Sequence, residues 1–138
     1  FRPGTYPLMD ASMANVLGDL GDCAATVLAT VMSKPTDERV ILDVGAKGIT
    51  AQTRTVGITK CEGHGTILEY PETHIFDVYD EHAIIYVRAF HDAVKIGDKV
   101  RIIPVHICPA ANLYDKAYLT SGDEIVGEYE VACRGKLQ

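Results

Sequence analysis

Two residues stand at a spacing that can do chemistry, His106 and Cys108 in the segment Pro104-Val105-His106-Ile107-Cys108-Pro109. If Val105–Cys108 is extended, both side chains project to one face, because alternate residues of a strand share a face and lie ~6.5–7 Å apart. An imidazole nitrogen and a thiolate at that separation can close on one metal ion. Both donors suit Zn²⁺, at ~2.0–2.1 Å to nitrogen and ~2.3 Å to sulfur. The two prolines stiffen the segment and keep it from being an ordinary interior strand. A lone His-x-Cys is more often a core cysteine beside a surface histidine, and spacing alone leaves both readings open. No second ligand pair follows at recognisable spacing. A metal here would therefore complete its sphere with water, substrate or another part of a larger protein, the open coordination that a catalytic ion needs.

Other candidates have plainer explanations. Asp43-Val44-Gly45-Ala46-Lys47 reads as a strand ending in a turn, with Gly45 supplying a positive φ and Lys47 solvated. Asp80-Glu81-His82 reads as a polar hairpin connection rather than an acid/base cluster. Gly63-His64-Gly65 lacks the frame and length of a phosphate loop and reads as a turn. Tyr6, Tyr114 and Tyr118 lie near loops where a phenol could reach a ligand, although a packed tyrosine with its hydroxyl satisfied is the default. Asn112 is expected to pin its own loop. There is no nucleophile elbow and no GxGxxG. The cysteines at 23, 61, 108 and 133 form no CxxC pair, so reduced thiols are expected, with Cys23, Cys61 and Cys133 acting as small buried hydrophobes.

The elements that must position His106 and Cys108 follow a period of two. In Ala25–Met32 the residues Ala25, Val27, Ala29 and Val31 line one face while Thr26 and Thr30 occupy the other. Further extended runs are Arg39–Val44, Thr66–Tyr70, His74–Tyr79, Ala83–Ala89, Lys99–Val105 and Ile125–Arg134. Turn chemistry separates them at Lys34-Pro35-Thr36-Asp37, Gly63-His64-Gly65, Pro71-Glu72, Asp80-Glu81-His82 and Gly97-Asp98. The pattern predicts a mainly β fold, an antiparallel barrel or sandwich of about seven or more short strands. Helix is limited to Asp10–Leu20 and Ala110–Tyr114. The 138 residues suit one domain, 1–138, with no repeat or linker. Nineteen acidic against thirteen basic residues, a formal charge of −6, and no basic run make nucleic acid a poor partner. No stretch approaches the ~20 apolar residues of a membrane span, and no secretory signal follows Phe1. A cytoplasmic, aqueous protein is expected, and the chain is expected to be a piece of something longer.

Taken together, Arg2-Pro3-Gly4-Thr5-Tyr6 with Met9-Asp10, Asp43-Val44-Gly45-Ala46-Lys47, Glu81-His82, Gly97-Asp98-Lys99-Val100, His106-Ile107-Cys108-Pro109 with Asn112-Leu113, and Arg134-Gly135 form a pattern. The chain resembles the C-terminal domain of the metal-activated pyridoxal-phosphate enzymes that include D-threonine aldolase and D-serine dehydratase, relatives of the alanine racemase-like fold type. The resemblance implies an N-terminal (β/α)₈ barrel, absent from this chain, that holds pyridoxal phosphate on a lysine. It also implies a β-rich C-terminal domain whose metal ligands are His106 and Cys108, and an active site between the domains near a homodimer interface. The implied substrate is a D-3-hydroxy amino acid. The cofactor serves as electron sink, and the metal polarises the substrate's β-hydroxyl. Cleavage to glycine and an aldehyde and loss of water and ammonia both use that oxygen. Cys108 as second ligand resembles the dehydratase pattern and prefers zinc, whereas an aspartate would favour harder ions such as Mn²⁺; the opening and Gly21–Thr36 look aldolase-like. Ala83 stands where the pattern has glycine, and Gln52-Thr53 where it has an acidic residue. Tyr6, Asn112 and Tyr114 are the candidate substrate contacts, and none of the residues here is read as holding the pyridoxal cofactor. The competing readings are a stand-alone β-barrel binding module and a racemase relative without metal.

Overall fold

The computed structural model describes residues 4–136; Arg2 and Pro3 of the opening motif lie outside them. Among the described residues nine strands carry the fold: β1 (Val27–Ser33), β2 (Arg39–Leu42), β3 (Gly65–Ile67), β4 (Tyr70–His74), β5 (Asp77–Val78), β6 (Ala83–Tyr86), β7 (Lys99–Pro104), β8 (Lys116–Ser121) and β9 (Glu124–Glu130). Four short helices punctuate them: α1 (Ala11–Leu17), α2 (Ala46–Ile49), α3 (Arg88–Ala93) and α4 (Ile107–Ala111), with one 3₁₀ turn at Leu20–Asp22. The protein is mainly β, as the alternation predicts.

Seven strands form one antiparallel sheet in the order β4-β3-β7-β1-β2-β6-β5. Its two edge strands, β4 and β5, are consecutive in the chain, and the residues joining them bond to both sides. Ile75 exchanges hydrogen bonds with His64 and Gly65, while the Phe76 N–H donates to the Ile84 carbonyl. The sheet therefore curls until its edges meet, leaving few unpaired backbone groups. Inside lie Val31, Val40, Leu42, Ile85 and Ile102, each fully buried, with Phe90 of α3 stacked edge-on to Tyr70 at 5.2 Å between ring centres. A second cluster lies outside the sheet, where Met9, Ala11, Ala14 and Cys23 cover Ile103. Strand β7 is thus covered on both faces, which explains its unbroken apolar run Ile102-Ile103.

Local departures from the sequence reading have physical causes. The run Ala83–Ala89 is two elements, because Arg88 and Asp92 pair at 2.8 Å across one helical turn while Phe90 turns inward. The expected turn at Pro71-Glu72 lies inside β4, and the chain reverses instead at Leu68-Glu69, where Glu69 accepts from the Arg101 N–H and Nε. Strand β8 carries no alternation in its sequence because its hairpin with β9 is exposed on both faces and has no one-sided burial. The run Ile125–Arg134 stops at Glu130, and Cys133 is exposed rather than buried; Cys23 is buried and Cys61 half-buried. Gly45 has φ −131°, not a positive value; a Cβ there would sit 2.1 Å from the Tyr79 carbonyl oxygen, so close approach is what demands glycine.

Truncating Phe90→Ala should cost about 3–5 kcal/mol in urea unfolding; Ile125→Ala on the exposed hairpin should stay within about 0.5 kcal/mol. Burial alone would raise the Glu69 carboxyl, but its hydrogen bonds from the Arg101 side chain and N–H pull it below its ordinary value. A lowered folded-state value contributes stability above the unfolded value of ~4.3, and that contribution is lost as pH falls through the folded one. Glu69→Gln should therefore flatten the acid limb of a thermal-stability profile.

Candidate metal centre

The centre is built where β7 ends. Pro104 closes the ladder opposite Gly65, and the Val105 N–H donates to the His64 carbonyl at 3.1 Å. His106 is extended, φ −146° and ψ 110°, and is the N-cap of α4; Ile107, Cys108 and Pro109 form that helix's first turn. The condition for the two side chains to share a strand face, an extended Val105–Cys108, is thus not met beyond His106. Pro109 fits a first turn because its missing N–H would have no helical partner there. The Ile107 N–H, which would otherwise be orphaned, donates to Asp10 Oδ2 at 3.1 Å.

Asp10 is the hidden support of this junction. It is fully buried, and its Oδ1 accepts from Ser12 Oγ at 2.8 Å and from the Met13 N–H at 2.9 Å, capping α1. One carboxylate therefore caps two helices that are distant in sequence. Met9, immediately before it, is held at φ 59°, a left-handed conformation that costs a non-glycine residue about 1–2 kcal/mol.

A loop over residues 50–62 supplies the other support. His106 Nδ1 lies 2.8 Å from Gln52 Oε1. A carbonyl oxygen only accepts, so Nδ1 carries the proton and Nε2 keeps its lone pair free. The loop is anchored by Asn15 Nδ2 on the Lys60 carbonyl and braced within itself by the Cys61 N–H on the Arg54 carbonyl. Burial, and next the charge of Arg54, hold the His106 imidazole below its ordinary value, only partly opposed by Asp10. The ring is therefore neutral near pH 7, the form that ligates metals. The Cys108 thiol is exposed, with Sγ 3.6 Å from Thr5 Oγ1.

This donor set fits a borderline-soft divalent ion: an imidazole with its tautomer fixed by a neighbouring oxygen, and an accessible sulfur two residues on. Among the described residues no group of three or more His, Cys, Asp or Glu side chains could hold a metal. At this junction the candidate donors are His106 and Cys108. The remaining candidates lie apart in role. Tyr6 is largely exposed. Asn112 Oδ1 accepts from the Gly135 N–H at 3.0 Å, pinning the C-terminal turn. Tyr114 is half-buried against α2, where a Cβ on Gly48 would come within 3.0 Å of its hydroxyl, and burial pushes its phenol up. Lys47 pairs with Glu81 at 2.5 Å on the surface. Asp10 and Gln52 act as supports that residue spacing did not reveal; the one local signal for Asp10 was an aspartate directly ahead of a helical stretch.

The architecture is that of a β-rich domain whose strand-to-helix junction carries the candidate ligands His106 and Cys108. Residues 24–120 match the family model described as "Putative serine dehydratase domain", and the chain belongs to that family. It is 34% identical to the D-threonine aldolase of Arthrobacter sp over 137 residues, 97% of this chain and 34% of that protein. It is 29% identical to an uncharacterized protein of Mycobacterium tuberculosis over 119 residues, 83% of this chain and 86% of that one. Among solved structures, the D-threonine aldolase of Filomicrobium marinum superposes with a TM-score of 0.79 at 25% identity, covering 98% of this chain and 36% of that one. The D-threo-3-hydroxyaspartate dehydratase of Delftia sp. HT23 gives 0.76 at 23% identity, covering 91% and 37%. Two further structures of a D-threo-3-hydroxyaspartate dehydratase carry alanine in place of a histidine and, two positions on, of a cysteine; the cysteine variant is in a metal-free form. The chain spans about a third of the length of the aldolases it matches. No helix among the described residues is long and apolar enough to cross a membrane.

Asp10→Asn places an amide donor among three donors and should cost about 1–3 kcal/mol, with faster hydrogen exchange at the Ile107 amide. Gln52→Leu should convert the His106 ring from one tautomer to a mixture, read from its two ¹⁵N shifts.

Proposed function

We propose that this chain is the metal-bearing C-terminal third of a pyridoxal-phosphate-dependent lyase acting on D-3-hydroxy amino acids, in the manner of a D-threonine aldolase. The observation that carries the reading is the strand-to-helix junction, where His106 presents a free Nε2, its Nδ1 held by Gln52, two residues before an accessible Cys108. The histidine and cysteine replaced in the dehydratase variants have the same spacing, which supports the assignment of these two residues as ligands.

In this reading His106 and Cys108 hold Zn²⁺ or Mn²⁺, with the thiolate favouring zinc. The ion supplies Lewis acidity toward the substrate's 3-hydroxyl, and pyridoxal phosphate, bound by an N-terminal barrel, supplies the electron sink. This chain's own part is positional. Gln52 fixes the imidazole's orientation and proton, Asp10 fixes the turn that sets Cys108, and Thr5 lies against the sulfur. The barrel and a second subunit complete the site. Dehydration of the same substrates is the second reading, favoured by a thiol at position 108 and by the likeness to the Delftia dehydratase. A stand-alone module is the third, favoured by the similar length of the Mycobacterium relative.

Calorimetry with Zn²⁺ should show one site or less per chain, weakened by His106→Ala and by Cys108→Ala. Zinc should protect Cys108, but not the exposed Cys133, from a thiol reagent. The complete natural protein, assayed with D-threonine and D-serine with and without Zn²⁺ or Mn²⁺, should yield glycine and aldehyde. Keto acid and ammonia would select the dehydratase, and no turnover with either metal would reject the lyase reading.

A further inference from the structure

The motif Gly63-His64-Gly65 is set more tightly than a turn requires. Gly63 has φ 64°, and a Cβ there would sit 2.1 Å from the Ile75 carbonyl oxygen; at Gly65 one would sit 2.7 Å from the Ile103 carbonyl oxygen. Between them the His64 N–H donates to the Ile75 carbonyl, and the His64 carbonyl accepts from the Val105 N–H. The residue is 9% exposed, and its Nδ1 is shielded from water with no hydrogen-bond partner among the described residues. A buried polar atom left unmet is a cost that a partner removes.

His64 lines a cavity of about 390 Å³ that the 50–62 loop shares with the end of β3, with β4 and with β6. Glu62 of the loop and Glu72 of β4 line it too, and the ion pairs made by Glu69, Glu81 and Glu128 have no counterpart at either among the described residues. His74 adds a second imidazole, its Nδ1 3.0 Å from Thr66 Oγ1. Phe76 and Tyr86, edge to face at 5.1 Å between ring centres, complete the apolar side. None of the lining residues is a lysine or arginine, so every charge on the wall is negative or an imidazole. A metal ion does not suit this wall, because no three His, Cys, Asp or Glu side chains converge among the described residues. An ammonium group does suit it: its three N–H donors meet carboxylates and an imidazole lone pair, and its charge is favoured beside aromatic rings.

We propose that this cavity binds a small primary alkylamine, its ammonium group received by the Glu62 and Glu72 carboxylates and the His64 imidazole, and its hydrocarbon stem lying on Phe76 and Tyr86. The volume is that of a small-molecule site, which favours a free amine over a partner protein. The proposal is independent of the lyase reading. Thr53 and Glu62 belong to the loop whose Gln52 holds His106, so an occupied cavity is also reported at Gln52.

The ¹⁵N-labelled chain is titrated with butylammonium chloride, and separately with neutral butanol and with potassium chloride at the same ionic strength. Butylammonium alone should shift the Gln52, Thr53, Glu62, His64 and His74 signals to saturation. Glu62→Gln combined with Glu72→Gln should weaken its binding about tenfold. His64→Phe, which keeps the ring's bulk and removes its nitrogens, should weaken it by about tenfold or more. Glu124→Gln on the exposed β8–β9 hairpin should leave it unchanged. Both cavity glutamates are exposed, so the double variant decides the matter even where His64→Phe fails to fold. An equal response to butanol or to potassium chloride, or binding indifferent to the two glutamates, overturns the proposal. A lysine-containing tripeptide that binds tenfold more tightly than butylammonium overturns the small-molecule assignment, and Zn²⁺ taken up at His64 and His74 with no response to butylammonium overturns the choice of an amine.

Discussion

The carboxylate of Asp10 is the contact on which the candidate centre depends. It accepts three hydrogen bonds in a fully buried position, two from the first turn of α1 and one from the first N–H of α4. Those helices lie almost a hundred residues apart, so a single side chain joins the beginning of the described chain to the turn that carries His106 and Cys108. A buried carboxylate is tolerated only when its lone pairs are met, and here they are met by the Ser12 hydroxyl and by the Met13 and Ile107 N–H groups, which would otherwise be orphaned at helix ends. The cap and the site are thus one structural unit.

Around that contact the fold removes other freedom. The curled sheet closes through Ile75 and Phe76, and β7 is packed on both faces, so the strand delivering His106 has no open side on which to shift. The imidazole is then oriented by Gln52 from a loop that Asn15 ties down. Two non-glycine residues with positive φ, Met9 and Thr50, precede Asp10 and Gln52 closely. Backbone strain is concentrated beside the two residues that position the candidate ligands, where surrounding structure over-determines it.

Strands with one buried face were legible, since burial imposes alternation: Val27, Ala29 and Val31 turn inward as their spacing says. Elements with no such face were not. The β8–β9 hairpin is wet on both sides, and α3 hides inside an apolar run whose helical signal was only the Arg88–Asp92 pair and Phe90. Residue type and spacing single out His106 and Cys108, but the extended backbone that would set both on one strand face ends at His106. The segment beyond it is helical because of a carboxylate at position 10, a long-range partner that no local window contains. Gln52 was visible only as a departure from an acidic residue; its role as a neutral acceptor for Nδ1 needed the loop's path. The family resemblance reached further than the local reading because it joined motifs from both ends of the chain.

An acceptor without charge behind the histidine, and a thiol as the second donor, describe a centre tuned differently from one built on two carboxylates. If His106 and Cys108 hold an ion, as proposed, Gln52 keeps the imidazole in the ligating tautomer without adding negative charge, and the thiolate is the charged donor. X-ray absorption at the zinc edge of the zinc-loaded protein addresses this directly. The account predicts one sulfur at ~2.3 Å together with an imidazole nitrogen at ~2.0–2.1 Å, and loss of the sulfur contribution in Cys108→Ala. A shell of nitrogen and oxygen alone in the unmutated protein would contradict it.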